Sequence, residues 1–403
     1  MQEIVALVGA FDTKASEYAY AAELIRAAGF GTLTIDIGTG DTPGFQPDIA
    51  REAVVAAGSG APDLAALDRG TALRIMADGV ALLLPQLHDE GRLHAVFAMG
   101  GTGGTSVATA GMRALPLGVP KVMVSTAAGG DVSGYVGTAD IVMIPSIVDV
   151  AGINSISRGV YARAAGAICG MLGQEVPQGD DRPLVVASMF GNTTPAVTTA
   201  RSVLEANGYE VLVFHCTGQG GRTMESLVES ENISGVLDLT TTELADELVG
   251  GVFSAGPHRL DAAARTGTPA VVVPGCLDMV NFWAPDTIPE RFAGRTFYRH
   301  NENVTLMRTT PQENAKLGKT IVEKVNASTG PVTVLIPLKG VSMIDGPDGD
   351  FYDPKANEAL FAAIQSGLRD DVKLVELDAF INDDVFATAC ANELLRLMAR
   401  AGR

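Results

Sequence analysis

The stretch Ala95-Val96-Phe97-Ala98-Met99-Gly100-Gly101-Thr102-Gly103-Gly104-Thr105 carries the main fold signal of this chain. Five apolar residues predict a buried strand, and a run with four glycines follows it directly. A helix is expected from Ser106 to Met112. Glycine after a strand lets the backbone approach a ligand, and the start of a helix adds partial positive charge. The stretch therefore predicts a strand–loop–helix segment that binds an anionic group.

A tight turn that only lets helix and sheet pack closely is the alternative interpretation of this glycine run. Four glycines in six residues exceed what a turn requires, which favours anion binding. The run lacks the Lys-Ser/Thr ending of a P-loop, and its spacing is not that of a dinucleotide fingerprint. A second glycine run, His215–Arg222, follows the apolar stretch Val211–Phe214. Two such loops predict a site for an anionic small molecule.

Strand and helix patterns alternate through both halves of the chain. Ile4–Gly9 and Leu184–Met189 are typical of buried strands that lead into a helix, and Thr32–Ile37 has a counterpart in Glu210–His215. The α/β alternation predicts two Rossmann-like subdomains with doubly wound parallel sheets, a duplicated unit with a cleft between the copies. The polar segment Gln174–Pro183 is the expected boundary, which gives domains 1–178 and 179–403.

Composition limits the classes of partner. With 29 Lys and Arg against 47 Asp and Glu the net charge is −18, which argues against nucleic acid and anionic membranes. The N-terminus shows no secretory leader, and no apolar run reaches membrane-spanning length. The four cysteines have neither close pairing nor metal-finger spacing, so free thiols in a cytoplasmic protein are expected.

The candidate ligand contacts of the N-terminal half lie in loops that follow predicted strands. The carboxyl ends of parallel strands meet at one edge of a sheet, where such folds bind ligands. A strand-end acid such as Asp36 suits a ribose hydroxyl, whereas Thr13 and Lys14 are equally consistent with a helix cap and a solvated lysine. The candidates are Asp12, Thr13, Lys14, Asp36, Gly100, Gly101, Thr102, Gly103, Gly104, Thr105, Ser125 and Thr126.

The C-terminal half offers candidates for general acid–base catalysis or metal binding. Its strand-end loops contain His215, Arg222, Glu225, Asp278 and His300, although no metal-ligand spacing joins them and no metal site is predicted. A histidine at a strand end is also consistent with a structural hydrogen bond. Cysteines at such positions, here Cys216 and Cys276, are more commonly small buried residues than nucleophiles.

Several motifs together resemble a known family. They are Gly9–Lys14, Gly100–Thr105, Ser125–Ala127 with Gly129–Asp131, Ile147–Asn154, Thr217–Gly221 and Pro274–Phe282. The chain is similar to the Tm-one-like ATP-binding domain family, typified by the N-terminal half of the tomato mosaic virus resistance protein. The resemblance implies a homodimer of two Rossmann-like subdomains with ATP bound by the first. It assigns the ATP contacts to Asp12-Thr13-Lys14 and Gly100–Thr105. The barrel domain of the plant protein makes a barrel enzyme a candidate partner.

These observations lead to one principal hypothesis and two alternatives. The principal hypothesis is an ATP-binding enzyme of small-molecule metabolism that uses magnesium and acts on an anionic substrate in the interdomain cleft, facing His215, Arg222, Asp278 and His300. The first alternative is a non-catalytic, nucleotide-dependent interaction module. The second is a sugar-acid hydrolase or isomerase that uses no nucleotide.

Overall fold

The computed structural model describes residues 2–60, 64–177, 179 and 181–402. The chain forms two compact units, Met1–Gln178 and Gly179–Arg403, called here the N-terminal unit and the C-terminal unit. Gln178 and Asp180, within the predicted boundary segment, lie outside the described residues. In the described part of the chain no helix is long and apolar enough to cross a membrane. All four cysteines are free thiols, as expected.

The N-terminal unit is built on a five-stranded sheet in which every pairing is parallel. Its strands are β1 (Ile4–Gly9), β2 (Gly31–Asp36), β3 (Ala95–Gly100), β4 (Lys121–Ser125) and β5 (Val142–Pro145). Its helices are α1 (Ala15–Ala27), α2 (Arg51–Ser59), α3 (Arg69–Asp89), α4 (Thr102–Ala114), α5 (Ser133–Val136) and α6 (Ser157–Leu172).

Helices cover both faces of this sheet. Alternate residues of a strand point to opposite faces, so Val5 and Leu7 of β1 pack with α1 and α6, whereas Ala6 and Val8 pack with α2, α3 and α4. The strand order is β2-β1-β3-β4-β5. The chain runs from β1 to β2 on one side and then crosses to β3 on the other. The strand order therefore reverses between β1 and β3, which is the place where open α/β sheets bind ligands.

The C-terminal unit contains a six-stranded parallel sheet and a small antiparallel one. Its strands are β6 (Leu184–Met189), β7 (Glu210–His215), β8 (Ile233–Thr240), β9 (Ala270–Gly275), β10 (Met279–Phe282), β11 (Phe297–Arg299), β12 (Thr305–Arg308), β13 (Val332–Pro337) and β14 (Lys373–Leu377). Its helices are α7 (Thr194–Ala206), α8 (Gln219–Ser230), α9 (Thr242–Val249), α10 (Asp261–Thr266), α11 (Pro311–Asn326), α12 (Pro354–Gly367) and α13 (Asp384–Ala401).

The two parallel sheets share one topology. The larger sheet has the order β7-β6-β8-β9-β13-β14, and its first five strands repeat the order of the N-terminal sheet. Helices α7 and α13 cover one face, and α8 to α12 cover the other. The predicted fold of two Rossmann-like α/β subdomains is confirmed, and the repeated strand order agrees with the predicted duplication. The antiparallel sheet β10-β12-β11, inserted between β9 and α11, was not expected.

Two local predictions are wrong. Helix α4 begins at Thr102 rather than Ser106, with Gly101 as its N-cap, because the glycine run forms the first turn of the helix and not a separate loop. Glycine has a low helix propensity, and the packing of Val107 and Ala108 against the sheet overrides it. Thr13 does not cap α1: the N-cap is Lys14, without a side-chain hydrogen bond.

Candidate functional site

A pocket of about 530 Å³ opens where the strand order of the N-terminal sheet reverses, at the carboxyl ends of β1 and β3. Its volume lies in the usual range for small-molecule sites. The wall combines glycine backbone, three charged side chains and an apolar surface. It consists of Ala10, Asp12, Thr13, Lys14, Ile37, Thr39, Gly40, Leu64, Leu67, Arg69, Ala72, Leu73, Met99, Gly100, Gly101, Thr102, Gly103, Gly104 and Val107.

The packing of the protein itself does not require the four glycines of the run Gly100–Gly104, unlike Gly40 in the same wall, where a Cβ atom would lie 2.8 Å from Asp12 Oδ2. A Cβ atom added to Gly104 would meet nothing within 4 Å, and one on Gly101 would lie 3.8 Å from Thr126 Oγ1. On Gly100 and Gly103 the nearest atoms would be 3.5 and 3.3 Å away. All four residues also avoid the left-handed φ region that would favour glycine. A tight turn for close helix–sheet packing therefore does not explain the run.

The N-terminus of α4 is the electrostatic feature of the pocket. Gly101 is its N-cap and Thr102 its first residue, and both line the pocket. The first N–H groups of a helix have no acceptor within the helix, and that end carries partial positive charge. Because Gly103 and Gly104 have no side chain, their backbone is open to a ligand. The arrangement suits a phosphate or carboxylate.

Two of the charged side chains in the pocket wall hold neighbouring backbone. Asp12 Oδ2 accepts a hydrogen bond from Gly40 N at 2.8 Å, while Asp12 Oδ1 is buried without a partner among the described residues. Lys14 Nζ donates to the carbonyl of Val150 at 2.8 Å. Thr13 and Thr102 also reach the wall. The orphaned oxygen of Asp12 is the carboxylate atom that remains available for a ligand or an ion.

Asp36 lies off the pocket wall and joins the loops that form it. Its Oδ1 accepts hydrogen bonds from Phe11 N at 3.1 Å and Gly38 N at 2.9 Å. Its Oδ2 pairs with Arg51 Nε at 2.8 Å. The side chain is buried, and both oxygens are engaged. In this position Asp36 fixes the loops after β1 and β2 relative to each other.

The three remaining candidate contacts of the N-terminal unit also lie away from the wall. Thr105 and Ser125 are fully buried, and their hydroxyl oxygens are 2.7 Å apart. This hydrogen bond ties the first turn of α4 to the end of β4. Thr126 is exposed, and its backbone N donates to the carbonyl of Gly100 at 3.3 Å. Their placement supports the glycine run rather than extending the wall.

The corresponding position in the C-terminal unit, at the end of β8, is filled by a buried ion cluster. Arg259 is 1% exposed. Its Nε donates to Glu243 Oε2 at 2.7 Å, and its two Nη atoms donate to Asp238 at 2.5 and 2.6 Å and to Glu225 at 3.0 Å. Burial alone would lower the pKa of Arg259, but Asp238 and Glu243 outweigh it and raise that pKa well above its usual value. The cluster contains three carboxyl groups and one guanidinium.

The second glycine run packs onto this cluster. Glu243 Oε1 accepts hydrogen bonds from Gly218 N at 2.7 Å and Gly221 N at 3.0 Å. A Cβ atom on Gly221 would lie 1.9 Å from Glu243 Oε2, and one on Gly220 would lie 1.9 Å from the carbonyl of His215. These glycines are required by the internal packing of the unit. The anion held at this loop is the protein's own carboxylate.

The four residues predicted to be catalytic have different surroundings. His215 is exposed and stacks on Phe190 with ring centroids 5.4 Å apart. The partial burial lowers the pKa of its imidazole, with Glu243 acting in the opposite direction. Arg222 is exposed and donates to Gln219 Oε1 at 3.2 Å. In the described ranges no hydrogen bond or ion pair joins these residues to Asp278 or His300.

Asp278 belongs to a second buried polar cluster. Its Oδ2 accepts a hydrogen bond from Ser342 Oγ at 2.6 Å, and its Oδ1 has no partner among the described residues. Nearby, Asp345 pairs with Arg308 at 3.2 Å and accepts from Asn357 Nδ2 at 2.7 Å. Burial raises the pKa of Asp278. Burial, together with the charge of Asp278, raises the pKa of Asp345 to about 7.

His300 follows a strand, as predicted, but that strand is β11 of the small antiparallel sheet. It lies in the turn between β11 and β12, where its backbone N donates to the carbonyl of Val304 at 3.1 Å. The side chain is exposed. His300 is therefore not placed at the carboxyl edge of the parallel sheet, where His215 lies.

Cys216 and Cys276 are fully buried. Burial raises the pKa of both thiols well above the usual value. A reactive cysteine needs an accessible, low-pKa environment. Both are structural residues in this fold. Over the described ranges no group of three His, Cys, Asp or Glu side chains could hold a metal ion.

Several residues that define these sites were not predicted from the sequence. Leu64, Leu67 and Arg69 come from the segment before and at the start of α3, which lies between β2 and β3 and carries no motif. The apolar residues of this short, loop-like segment were the one feature of the sequence that could have indicated a pocket wall. Arg259 follows a Gly-Pro-His turn, and its surroundings were not suggested by any nearby charge pattern.

Family comparisons agree with this architecture. Residues 3–177 match the model of the uncharacterised protein family (UPF0261) N-terminal domain, and residues 182–398 match that of its C-terminal domain. The chain is 46% identical to the UPF0261 protein of Clostridium tetani over 99% of this chain and 100% of the relative. The UPF0261 protein of Rhizobium meliloti is 48% identical over 95% and 96%.

The chain also resembles a plant protein. The ToMV resistance protein Tm-1(GCR237) of Solanum lycopersicum is 42% identical over 83% of this chain, and the match covers 45% of the tomato protein. Fold and site define a two-unit α/β protein whose N-terminal unit has an open pocket at its strand-order reversal. The chain belongs to the UPF0261 family. The predicted resemblance to the Tm-one-like family is confirmed.

Proposed function

We propose that this protein is an ATP-binding enzyme of small-molecule metabolism whose nucleotide site is the pocket of the N-terminal unit. One observation carries the proposal: four glycines at a helix N-terminus line a pocket, and neither packing nor φ requires them. Glycine in a helix costs about 1 kcal/mol relative to alanine. A ligand that touches the backbone at Gly103 and Gly104, the two glycines of the run that lie within α4, accounts for that cost.

The other wall residues fit a nucleotide. Lys14, Arg69 and the N-terminus of α4 provide positive potential for phosphates in a chain whose net charge is −18. Leu64, Leu67 and Leu73 form an apolar surface suited to a base. The free Oδ1 of Asp12 would contact a magnesium ion, which proteins often hold through one carboxylate and the substrate phosphates. Bound ATP would supply a phosphoryl group for transfer.

His215 is the acid–base candidate for such an enzyme. Its imidazole is exposed, and its lowered pKa keeps it neutral near pH 7, so it is able to accept a proton. An anionic acceptor with a hydroxyl or carboxylate group is the substrate class we propose. A His215→Ala variant that binds ATP normally but loses turnover would support the enzymatic role. Unchanged turnover would favour the nucleotide-dependent interaction module.

The nucleotide site is tested with a matched pair of glycine variants. Gly104→Leu fills the pocket, whereas Gly166→Leu places the same side chain on α6, where a Cβ atom also meets nothing within 4 Å. A ligand that binds the folded state raises its thermal stability. We expect ATP to stabilise the wild type and Gly166→Leu but not Gly104→Leu. ADP, GTP, NAD and phosphorylated sugar acids, each with and without magnesium, are tested in parallel. Stabilisation by a sugar acid and not by ATP would overturn the proposal.

A further inference from the structure

Arg69 differs from the other long cations around the N-terminal pocket. It is the first residue of α3, it is exposed, and its Nη2 lies 3.8 Å from the position that a Cβ on Gly103 would occupy. Across the described residues its guanidinium makes no hydrogen bond or ion pair, whereas Lys14 is held by the carbonyl of Val150 and Arg51 by Asp36. A free guanidinium therefore stands beside the first turn of α4.

The carboxylate next to Arg69 in the chain is bound within its own helix. Asp68 is the N-cap of α3: its Oδ1 accepts from Thr71 N at 3.0 Å, and its Oδ2 accepts from Thr71 Oγ1 at 2.7 Å. Both oxygens of this carboxylate are engaged by its own helix. Hydrogen bonding to Thr71 also lowers the pKa of Asp68, so the cap stays ionised. The nearest carboxylate along the chain is thus committed elsewhere.

We infer that Arg69 is the residue that makes the N-terminal pocket selective for the phosphorylated form of its ligand. A guanidinium presents two parallel N–H donors that match a phosphate, and such charge-assisted pairs are stronger than neutral ones. Arg69 faces the same volume as the N-terminus of α4, so one phosphate group can meet both. The apolar surface of Leu64, Leu67 and Leu73 does not distinguish a charged ligand from a neutral one. This inference rests on the proposed nucleotide site and names the determinant of its selectivity.

The experiment compares ATP with adenosine in titration calorimetry of the full chain. Arg69→Gln is expected to lower the affinity for ATP roughly 10- to 100-fold, because the phosphates lose a hydrogen-bonding partner. The affinity for adenosine, which has no phosphate, should not change. Arg69→Lys keeps the charge but not the paired donors, so its loss should be smaller. Arg74→Gln, on the same helix and outside the pocket wall, is the matched control. Raising the ionic strength should lower the affinity for ATP less in Arg69→Gln than in the wild type.

The outcomes separate this inference from the proposed function. Wild-type affinity for ATP in Arg69→Gln, or an equal loss of ATP and adenosine, would overturn the role of Arg69 and leave the nucleotide site standing. If the wild type does not bind ATP, the same variants are titrated with inorganic pyrophosphate. Pyrophosphate binding that depends on Arg69 would support the inference without the nucleotide. A wild type that binds neither compound would refute both.

Discussion

The two units of this protein repeat one strand order but treat the same edge of the sheet in opposite ways. In both units a helix begins directly after the third strand of the shared order, at Thr102 and at Thr242, with Gly101 and Thr241 as N-caps. The next residue is Gly103 in one unit and Glu243 in the other.

The two units differ in what occupies this position. In the C-terminal unit the Glu243 carboxylate accepts the N–H groups of Gly218 and Gly221 and pairs with Arg259. In the N-terminal unit Gly103 leaves a pocket of about 530 Å³. A fold that favours an anion at this edge thus receives it from its own chain in one copy. We propose that the other copy takes it from a ligand.

The largest effect is expected from removing the buried cation of the C-terminal unit. Arg259→Met leaves Glu225, Asp238 and Glu243 without their counter-charge, which should lower the free energy of unfolding by about 3–5 kcal/mol. Trp283 is the single tryptophan of the chain and lies in this unit, so its fluorescence in urea titrations reports the loss.

The matched control for that variant is an exposed arginine of the same unit. Arg265→Met removes surface ion pairs with Glu229 and Asp261 and should cost less than about 1 kcal/mol. Equal effects of the two variants would show that the buried cluster does not hold the C-terminal edge together.

The second variant places in the N-terminal unit the glutamate that the C-terminal unit has at the equivalent position. Gly103→Glu places a carboxylate at the N-terminus of α4, where it should exclude a phosphate by charge and weaken ATP binding by roughly 100-fold or more. The glutamine side chain of Gly103→Gln has nearly the same size but no charge, so this variant should lose less affinity for ATP. Titration calorimetry measures both affinities. Wild-type affinity for ATP in Gly103→Glu would mean that the nucleotide does not use this helix end.

A smaller effect is expected at the orphaned carboxylate oxygen. Asp12→Asn removes the charge that would hold magnesium, so the gain in ATP affinity on adding magnesium should shrink by about 10-fold. Asp41→Asn changes an exposed carboxylate outside the pocket wall and serves as the control. The measurement is ATP affinity with magnesium and with a chelator. A magnesium effect that persists in Asp12→Asn would contradict this assignment.

The smallest effect concerns pH and the second buried cluster of the C-terminal unit. Because the pKa of Asp345 in the folded state is raised to about 7, the folded chain binds more protons than the unfolded chain between about pH 4 and 7. This group therefore makes the free energy of unfolding fall as pH rises through that window. Asp278→Asn removes both the neighbouring charge and the raised pKa of Asp278 itself, so it should reduce the fall by at least about 1 kcal/mol. Urea titrations at pH 5 and pH 7.5 test this, and an unchanged fall would place its origin elsewhere.

Residue order predicted part of the wall of the N-terminal pocket. Gly100 to Gly104, Asp12 and Lys14 were predicted together because they follow β1 and β3, and the reversal of strand order brings those ends side by side. Arg69 and the leucines before it were missed, since they reach the wall from the start of α3. Asp36 was expected at the ligand and instead holds two loops together. His300 lies in an antiparallel hairpin that the pattern of apolar residues did not reveal.

Residue order alone was enough to predict the α/β class, the two units and the duplicated order of strands and helices. These follow from local periodicity and from glycine and proline positions, which act over a few residues. Which of the two glycine runs is open depends on the three-dimensional packing. Gly103 and Gly221 look alike in sequence, but the carboxylate that fills the space beside Gly221 comes from Glu243, after a different strand. Burial and the pairing of charges depend on residues distant in the chain, so no local pattern contains them.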